Sequence, residues 1–384
     1  MSATYAVGFS EHPLAAHGVG EAIGQIADTL DGQSVSAAVA FVTAPHIDEF
    51  DNLVGTIMQS LQPDALVAVT AVAVLGGGRE AEEVPAVSVW AASGVDAVPL
   101  RFEVLRGPEG PIVTGLDPLD GAVGQLVLLT DPFTFPTDVL IQELVQRAPE
   151  LLVVGGMASA ARGPGGNRLS LNGTTSTTGA VALLLPGSPG AKSGCSTIVS
   201  QGCRPVGSPF TVTAARDNHI LELGGEPAIQ RLNAMAKDAS PEERELMQRG
   251  LHIGFVINEQ KLDFDRGDFL IRGVMGFERE TGAVVVGDRI PVGAIVQFQV
   301  RDAATADEDL HDLMSAQDAQ SALVFTCNGR GVGLFGEPNH DAGVITEALD
   351  GAPIAGMFCA GEIGPVGGRN FLHGFTASIL LFDG

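Results

Sequence analysis

The stretch "PIAGMFCAGEIGPVGGRNFLHGFTASILLF", residues 353–382, begins and ends in apolar runs that are typical of buried strands. Its middle, residues 361–370, holds four glycines beside Glu362, Arg369 and Asn370, and His373 follows. The pattern predicts a strand, a Gly-rich loop and a second strand. Its function depends on whether the loop forms a binding site or only a sharp turn.

The same pattern is predicted three times along the chain, each time as strand, helix, strand, Gly-rich loop and strand. The three units cover residues 35–93, 124–186 and 322–382. Because a helix joins the first two strands of each unit, these strands should be parallel with a right-handed crossover. The loop then leaves the carboxyl end of the second strand, which is the edge where open α/β sheets usually bind ligands.

A different pattern follows the segment 214–226, where two helices are predicted over residues 227–237 and 240–250. Ser240 and Glu243 have the spacing of a capping box at the start of the second helix. Four β-branched runs after it predict an antiparallel meander. The fold class is therefore α/β to α+β, with mixed sheets built from β-α-β-loop-β units plus the meander, in two domains over residues 1–217 and 218–384.

Composition narrows the classes of function. The chain has 384 residues, which suggests two domains, and a formal net charge of −25, which disfavours nucleic acid and membrane surfaces as partners. The start of the sequence lacks the features of a signal peptide, and no long apolar run follows, so a cytoplasmic protein is expected. The four cysteines show no metal-binding spacing and are expected to be reduced, and no metal or cofactor is expected.

Each Gly-rich loop also contains an arginine: Arg79, Arg168 and Arg369. Glycine lets backbone N–H groups approach an anion closely, and the guanidinium matches a carboxylate. The loops therefore predict a site for a small acid. The structural alternative is that each loop is a hairpin with a solvated arginine.

Other readings of the same residues remain open. Cys359 could be a nucleophile with His373 as its base, although a buried, inert thiol is the ordinary interpretation. Residues 331–336 match G-x-G-x-x-G, but Pro338 follows where a dinucleotide-binding helix would already have begun. Asn339 is expected to cap a helix that starts after it. The loops could also serve only for packing, as in a scaffold protein.

Four motifs together resemble those of FIST proteins, with both the FIST N and the FIST C domain. They are "GGGREAEEVPAVSVWAAS" (76–93), "SQGCRPVGSPFTVT" (200–213), "CNGRGVGLFGEPNHD" (327–341) and "FCAGEIGPVGGRNFLHGFTAS" (358–378). The resemblance covers nearly the whole chain. It implies a ligand-sensing protein of signal transduction that binds a small molecule such as an amino acid. Because no output domain is seen on this chain, we expect it to act through a signalling partner or simply to carry or store its ligand.

On this analogy, Arg369 with the backbone of Gly367 and Gly368 would hold the ligand carboxylate. Glu362 would meet the ammonium group, and Asn370 or His373 would orient the ligand. The candidate ligand-binding residues are Arg79, Arg204, Asn328, Arg330, Cys359, Glu362, Gly367, Gly368, Arg369, Asn370 and His373.

Overall fold

The computed structural model describes residues 3–108, 110–188, 194–258, 260–261, 264 and 266–383. The chain forms two compact units, of which the first comprises residues 1–199, 310–372 and 376–384, and the second 200–309 with 373–375. Both units are discontinuous in sequence, whereas the predicted domains 1–217 and 218–384 are continuous. The reason is that the C-terminal strands pair with strands from the first half of the chain.

The structure is of the α+β class with mixed sheets. Its helices are α1 Ala15–Leu30, α2 Phe50–Leu61, α3 Thr137–Arg147, α4 Ala228–Asp238, α5 Pro241–Arg249, α6 Ala303–Met314, α7 Val332–Phe335 and α8 His340–Ala348. The strands of the first half are β1 Thr4–Ser10, β2 Ala37–Thr43, β3 Ala65–Ala71, β4 Ala73–Gly76, β5 Arg79–Glu82, β6 Val87–Ser93, β7 Val98–Gly107, β8 Gly110–Thr114, β9 Gly124–Thr130, β10 Leu151–Met157, β11 Leu169–Leu171, β12 Thr174–Ser176 and β13 Ala180–Pro186. Those of the second half are β14 Cys195–Gln201, β15 Cys203–Arg216, β16 His219–Leu223, β17 Glu226–Pro227, β18 Leu251–Val256, β19 Phe269–Glu278, β20 Ala283–Val286, β21 Ile295–Arg301, β22 Ser321–Cys327, β23 Ile354–Cys359, β24 Glu362–Val366, β25 Arg369–His373 and β26 Thr376–Phe382.

The first unit contains three mixed sheets, each built around one parallel pair. Sheet 1 has the order β1-β6-β2-β3-β11-β12, sheet 2 the order β25-β24-β10-β9-β13-β7-β8, and sheet 3 the order β14-β26-β22-β23-β4-β5. The parallel pairs are β2–β3, β9–β10 and β22–β23, and each first strand also pairs antiparallel with β6, β13 or β26.

The Gly-rich segments form hairpins that leave their own sheet and extend another one. The hairpin β4–β5 pairs with β23, β11–β12 pairs with β3, and β24–β25 pairs with β10. The three sheets therefore exchange one hairpin each in a closed cycle. The edges where the sequence predicts open loops are occupied by these strands.

Alternating residues along the strands explain how the three sheets pack. Val39 and Phe41 of sheet 1, Val127 of sheet 2 and Phe325 of sheet 3 belong to one common core. The residues between them face the helices on the other side of each sheet, as Ala40 does toward α1 and α2. This two-residue alternation is what a strand buried on both faces requires.

The second unit contains an antiparallel sheet with the four predicted strands, of which β18, β19 and β20 form a meander and β21 pairs with β18 instead of following β20. Its sheet has the order β15-β21-β18-β19-β20-β16-β17, and an additional pairing between β15 and β16 closes it into a barrel. The helices α4 and α5 follow β17 at the predicted positions. The capping box of α5 is confirmed, because Ser240 Oγ accepts a hydrogen bond from Glu243 N and the Glu243 carboxylate accepts one from Ser240 N.

Candidate functional site

A cluster of buried charged residues lies where β22 and β23 end in the first unit. We call Glu80, Thr326, Arg330, Asp341 and Glu362 the Arg330 cluster. Glu80 lies on β5, Thr326 near the end of β22, Asp341 in the first turn of α8 and Glu362 at the start of β24. The exchanged hairpin β4–β5 belongs to the first β-α-β-loop-β repeat and thus brings the Glu80 carboxylate to the third repeat.

Arg330 is held by Asp341 in a bidentate ion pair. Its Nε lies 2.7 Å from Asp341 Oδ2 and its Nη2 lies 2.8 Å from Oδ1. Thr326 Oγ1 donates to Oδ2 at 2.6 Å, and His340 Nδ1 lies 3.1 Å from Oδ1. Burial opposes ionisation of Asp341, but Arg330 and these hydrogen bonds outweigh it and hold the pKa of Asp341 well below its ordinary value. The pair is therefore ionised although it is buried.

An aromatic stack closes one side of this ion pair. The rings of Phe335 and His340 are stacked with centroids 3.4 Å apart, and the Arg330 guanidinium lies 5.1 Å from the Phe335 centroid. The segment 328–339 carries Arg330 and Phe335 over the cluster, and we call it the strap. Val332 N in the strap donates to Glu82 Oε1 at 2.9 Å, so the hairpin β4–β5 also anchors the strap.

Glu80 connects the same hairpin to helix α8. Its Oε1 accepts a hydrogen bond of 2.9 Å from Ala342 N, and its own backbone N donates to Asn339 Oδ1 at 2.7 Å. Asn339 precedes α8 as predicted, but its side chain makes no capping bond because it binds Glu80 instead. Burial and the neighbouring Asp341 raise the pKa of Glu80 to about 7.

Glu362 is fully buried, and Thr376 supplies its N–H and O–H hydrogen bonds. Its Oε2 accepts hydrogen bonds from Thr376 N at 3.0 Å and Thr376 Oγ1 at 2.9 Å. Burial raises its pKa to about 8, against the opposing effects of Thr376, Arg330 and the Cys327 thiol. At neutral pH the carboxyl group is therefore mostly protonated.

Three polar atoms of the cluster find no N–H, O–H or carboxylate partner in the part of the chain that the structure describes. They are Arg330 Nη1, Glu362 Oε1 and Glu80 Oε2. Buried polar groups are nearly always hydrogen-bonded in native proteins, so three unused atoms in one cluster need a cause. The three atoms are one guanidinium donor and two carboxyl oxygens.

The second β-α-β-loop-β repeat, residues 124–186, provides a comparison within the molecule. Asp131 follows Thr130 there as Cys327 follows Thr326, and Asp131 is also fully buried. Its two oxygens accept hydrogen bonds from Asn167 Nδ2 at 2.8 Å and Thr134 Oγ1 at 2.7 Å. The buried carboxylate of Asp131 is thus satisfied within the protein, and the third repeat has the Cys327 thiol at the same position.

The geometry does not support Cys359 as a nucleophile. The side chain is fully buried, and burial, with the nearby Glu362, raises its thiol pKa well above the ordinary value, so the reactive thiolate is disfavoured. Cys327 and Cys359 are direct partners on the parallel strands β22 and β23. Cys359 therefore lines the cluster as a neutral thiol.

The arginines of the Gly-rich loops have different surroundings. Arg79 is exposed and forms an ion pair with Glu11, and Arg168 Nη1 donates to the carbonyls of Gly165 and Asn167 at 2.9 and 3.0 Å. Arg369 is exposed beside Phe371, with 5.5 Å between the guanidinium and the ring centroid. The structure does not bring these arginines together on one edge.

Gly367 and Gly368 form the tight turn between β24 and β25. Their φ angles are 58° and 75°, the positive values that a type I′ turn requires at both central residues. The same requirement is met by Gly77 and Gly78 in β4–β5. The turn geometry thus accounts for these glycines without a bound anion.

One of the remaining candidates stabilises a sheet, and the other three lie at separate places in the structure. Asn370 acts in the sheet, because its Oδ1 accepts from Val153 N at 2.8 Å and its Nδ2 donates to Leu151 O at 2.9 Å. Asn328 is exposed at the start of the strap, and His373 is buried at the end of β25. Arg204 lies in the second unit, where its Nε is 3.1 Å from Asp302 Oδ2.

Sequence analysis did not single out Glu80, Asp341 or Thr376. Two signals were available: strand alternation in "REAE" turns Glu80 away from the exposed Arg79, and the predicted helix start at residue 340 places Asp341 in a first turn. The sequence does not indicate that Glu80 lies beside Arg330 and Asp341, because this position depends on the pairing of hairpin β4–β5 with another sheet.

Within the described residues, no group of three or more His, Cys, Asp or Glu side chains could hold a metal ion. None of the helices in the described ranges is long and apolar enough to cross a membrane.

The fold and the cluster define an α+β protein with a group of charged side chains buried in its first unit. The chain belongs to the FIST family: the FIST N domain matches residues 36–226 and the FIST C domain residues 228–365. FIST domains are sensory domains of signal transduction. The chain is 43% identical over 383 residues to an uncharacterized protein of Mycobacterium bovis and 42% identical to one of Mycobacterium tuberculosis H37Rv, with 98% of each chain covered.

Proposed function

We propose that this protein is a sensor that binds an amino acid or a similar small zwitterion at the Arg330 cluster. The observation that carries the proposal is the set of unused buried atoms: Arg330 Nη1 as donor, and Glu362 Oε1 and Glu80 Oε2 as acceptors. In this proposal Arg330 takes the carboxylate role that the sequence assigned to Arg369. Glu362 keeps its predicted role toward the ammonium group, with Glu80 as a second acceptor.

The charges of the cluster suit such a ligand. Asp341 already balances Arg330, and Glu362 is mostly neutral at pH 7, so the free site carries only the partial negative charge of Glu80, whose pKa is about 7. A zwitterion adds one charge of each sign and leaves this balance intact, whereas a simple anion or cation would disturb it. The strap covers the cluster, so ligand entry requires the strap to open.

The same proposal gives secondary roles to two other predicted ligand-binding residues. Asn328 lies where the strap begins, and Cys359 lines the cluster. The proposed location is cytoplasmic. The proposed output is a signalling partner that responds to a change in the position of the strap. Arg369 and the turn at Gly367 and Gly368 would then affect the hairpin rather than the ligand.

The first test is calorimetry and thermal shift against the standard amino acids, with Glu362→Gln compared with the wild type. Because Glu362 must ionise to pair with an ammonium group, affinity should rise as pH approaches the pKa of about 8 and level off above it, by up to about tenfold per pH unit below that value. Glu362→Gln should weaken binding and remove the part of this pH dependence centred near 8, leaving the part set by Glu80, whose pKa is about 7.

Arg369→Gln is the matched control, because Arg369 is exposed on the same hairpin. It should leave affinity unchanged. Loss of binding in Arg369→Gln with normal binding in Glu362→Gln would place the ligand at the hairpin turn instead. Absence of binding by every amino acid in the panel would refute the ligand class.

A further inference from the structure

A groove in the second unit is lined mainly by apolar side chains, unlike the charged Arg330 cluster. It lies between α4, α5 and the strands β18 and β19, and its volume is about 500 Å³. Leu232 and Ala236 line it from α4, Met247 from α5, and Met275 and Phe277 from β19. This volume and lining are within the range of pockets that hold small organic molecules.

The groove exists because the helices cover the barrel incompletely. Helix α5 contributes no buried residue, and α4 buries only Ala228, Leu232 and Met235 in the described structure. Met275 is 73% exposed and Phe277 is 49% exposed, although both are large apolar side chains. Adjacent exposed apolar side chains around a concavity are characteristic of binding sites, and methionine adapts readily to ligands of different shape.

One charged group defines the polar end of the groove. Of the described residues that line it, only Arg244 is ionisable. Its Nε donates to Ala236 O at 3.1 Å and its Nη2 donates to Lys237 O at 3.0 Å, which fixes the guanidinium at the end of α4. Its Nη1 makes no hydrogen bond within the described chain. In a protein of net charge −25, a positively charged side chain in the lining of an apolar groove favours an anionic head group over a cationic one.

We propose that this groove is a second ligand site, for an amphipathic carboxylate with an apolar chain. The chain would lie against Leu232, Met247, Met275 and Phe277, and the carboxylate would meet Arg244 Nη1. The proposal is independent of the Arg330 cluster, which selects small polar zwitterions and lies in the first unit.

The test uses the full-length protein labelled with ¹³C at its methionine methyl groups and titrated with decanoate. The Met247 and Met275 signals should shift with a saturable dependence on decanoate, while Met357, which is buried in the core of the first unit, should not shift. Ala236→Phe should abolish the shifts by filling the groove. Ala234→Phe, on the same helix and outside the groove lining, should preserve them.

Arg244→Gln and the neutral probe decanol separate the head-group contact from the apolar contacts. An exposed ion pair contributes little, so Arg244→Gln should weaken decanoate binding by about fivefold and leave decanol binding unchanged. Equal binding of decanoate and decanol to the wild type would overturn the carboxylate assignment. Shifts that persist in Ala236→Phe, or no shifts at Met247 and Met275, would overturn the site itself.

Discussion

At the scale of single residues, Arg330 and Asp341 are a buried ion pair whose members depend on each other. The side chain of Arg330 is 1% exposed and that of Asp341 is 0% exposed. A buried pair gains little net stability over apolar residues, but the loss of one partner leaves an uncompensated charge.

Asp341→Asn should therefore destabilise the protein strongly, by about 3 to 5 kcal/mol, because Arg330 would lose its counter-charge in the interior. Urea unfolding followed by fluorescence of the single tryptophan, Trp90, measures this, since Trp90 is buried in the first unit. The matched control is Asp120→Asn, which removes an exposed ion pair with Arg147 of 2.8 Å and should have little effect. Equal effects of the two substitutions would show that Arg330 is compensated by other groups.

At the scale of elements, the exchanged hairpins determine both the fold and the site. The hairpin β4–β5 extends sheet 3 through its pairing with β23 and delivers Glu80 to α8. The hairpin β24–β25 extends sheet 2 and begins with Glu362. Each hairpin must turn within two residues to remain aligned with its new sheet.

Gly368→Ala should destabilise the protein by about 1 to 2 kcal/mol, because its φ of 75° lies in the region that L-residues avoid. The open space around this position excludes a steric clash as the cause. Arg369→Ala, one residue away and exposed, should change stability by less than about 0.5 kcal/mol. Urea unfolding distinguishes the two, and a neutral effect of Gly368→Ala would contradict the turn assignment.

The hairpins also explain which parts of the fold could be predicted from the sequence. Apolar alternation and helical spacing are local signals, and they identified α4, α5 and the strands of the meander. The partner of a hairpin is not a local property: nothing within residues 76–82 indicates that β4 pairs with β23. The same limit applies to the site, where Glu362 and Arg330 could be selected as candidates but Glu80 and Asp341 could not be placed beside them.

At the scale of the whole molecule, the two family domains do not coincide with the two compact units. The first unit combines residues 1–199 with residues 310–372 and 376–384, and its core takes side chains from all three sheets. Trp90 illustrates this: its Nε1 donates to Ser321 Oγ at 2.8 Å, and its ring stacks on Phe382 with centroids 4.7 Å apart. The N-terminal half alone lacks these partners.

A fragment of residues 1–217 should therefore fail to fold, because it lacks β22, β23 and β26 and would expose the inner faces of sheets 1 and 2. A variant in which a short Gly-Ser linker replaces residues 200–309 should fold, since the ends of that segment are adjacent: Ser200 Oγ and Gln201 N both donate to Asp309 Oδ2, at 2.8 and 2.7 Å. Emission from Trp90 should be red-shifted in the fragment and native-like in the linker variant, and unfolding should be cooperative only in the latter. A cooperatively folded 1–217 fragment with buried Trp90 would instead support independent halves that divide at the boundary proposed from the sequence.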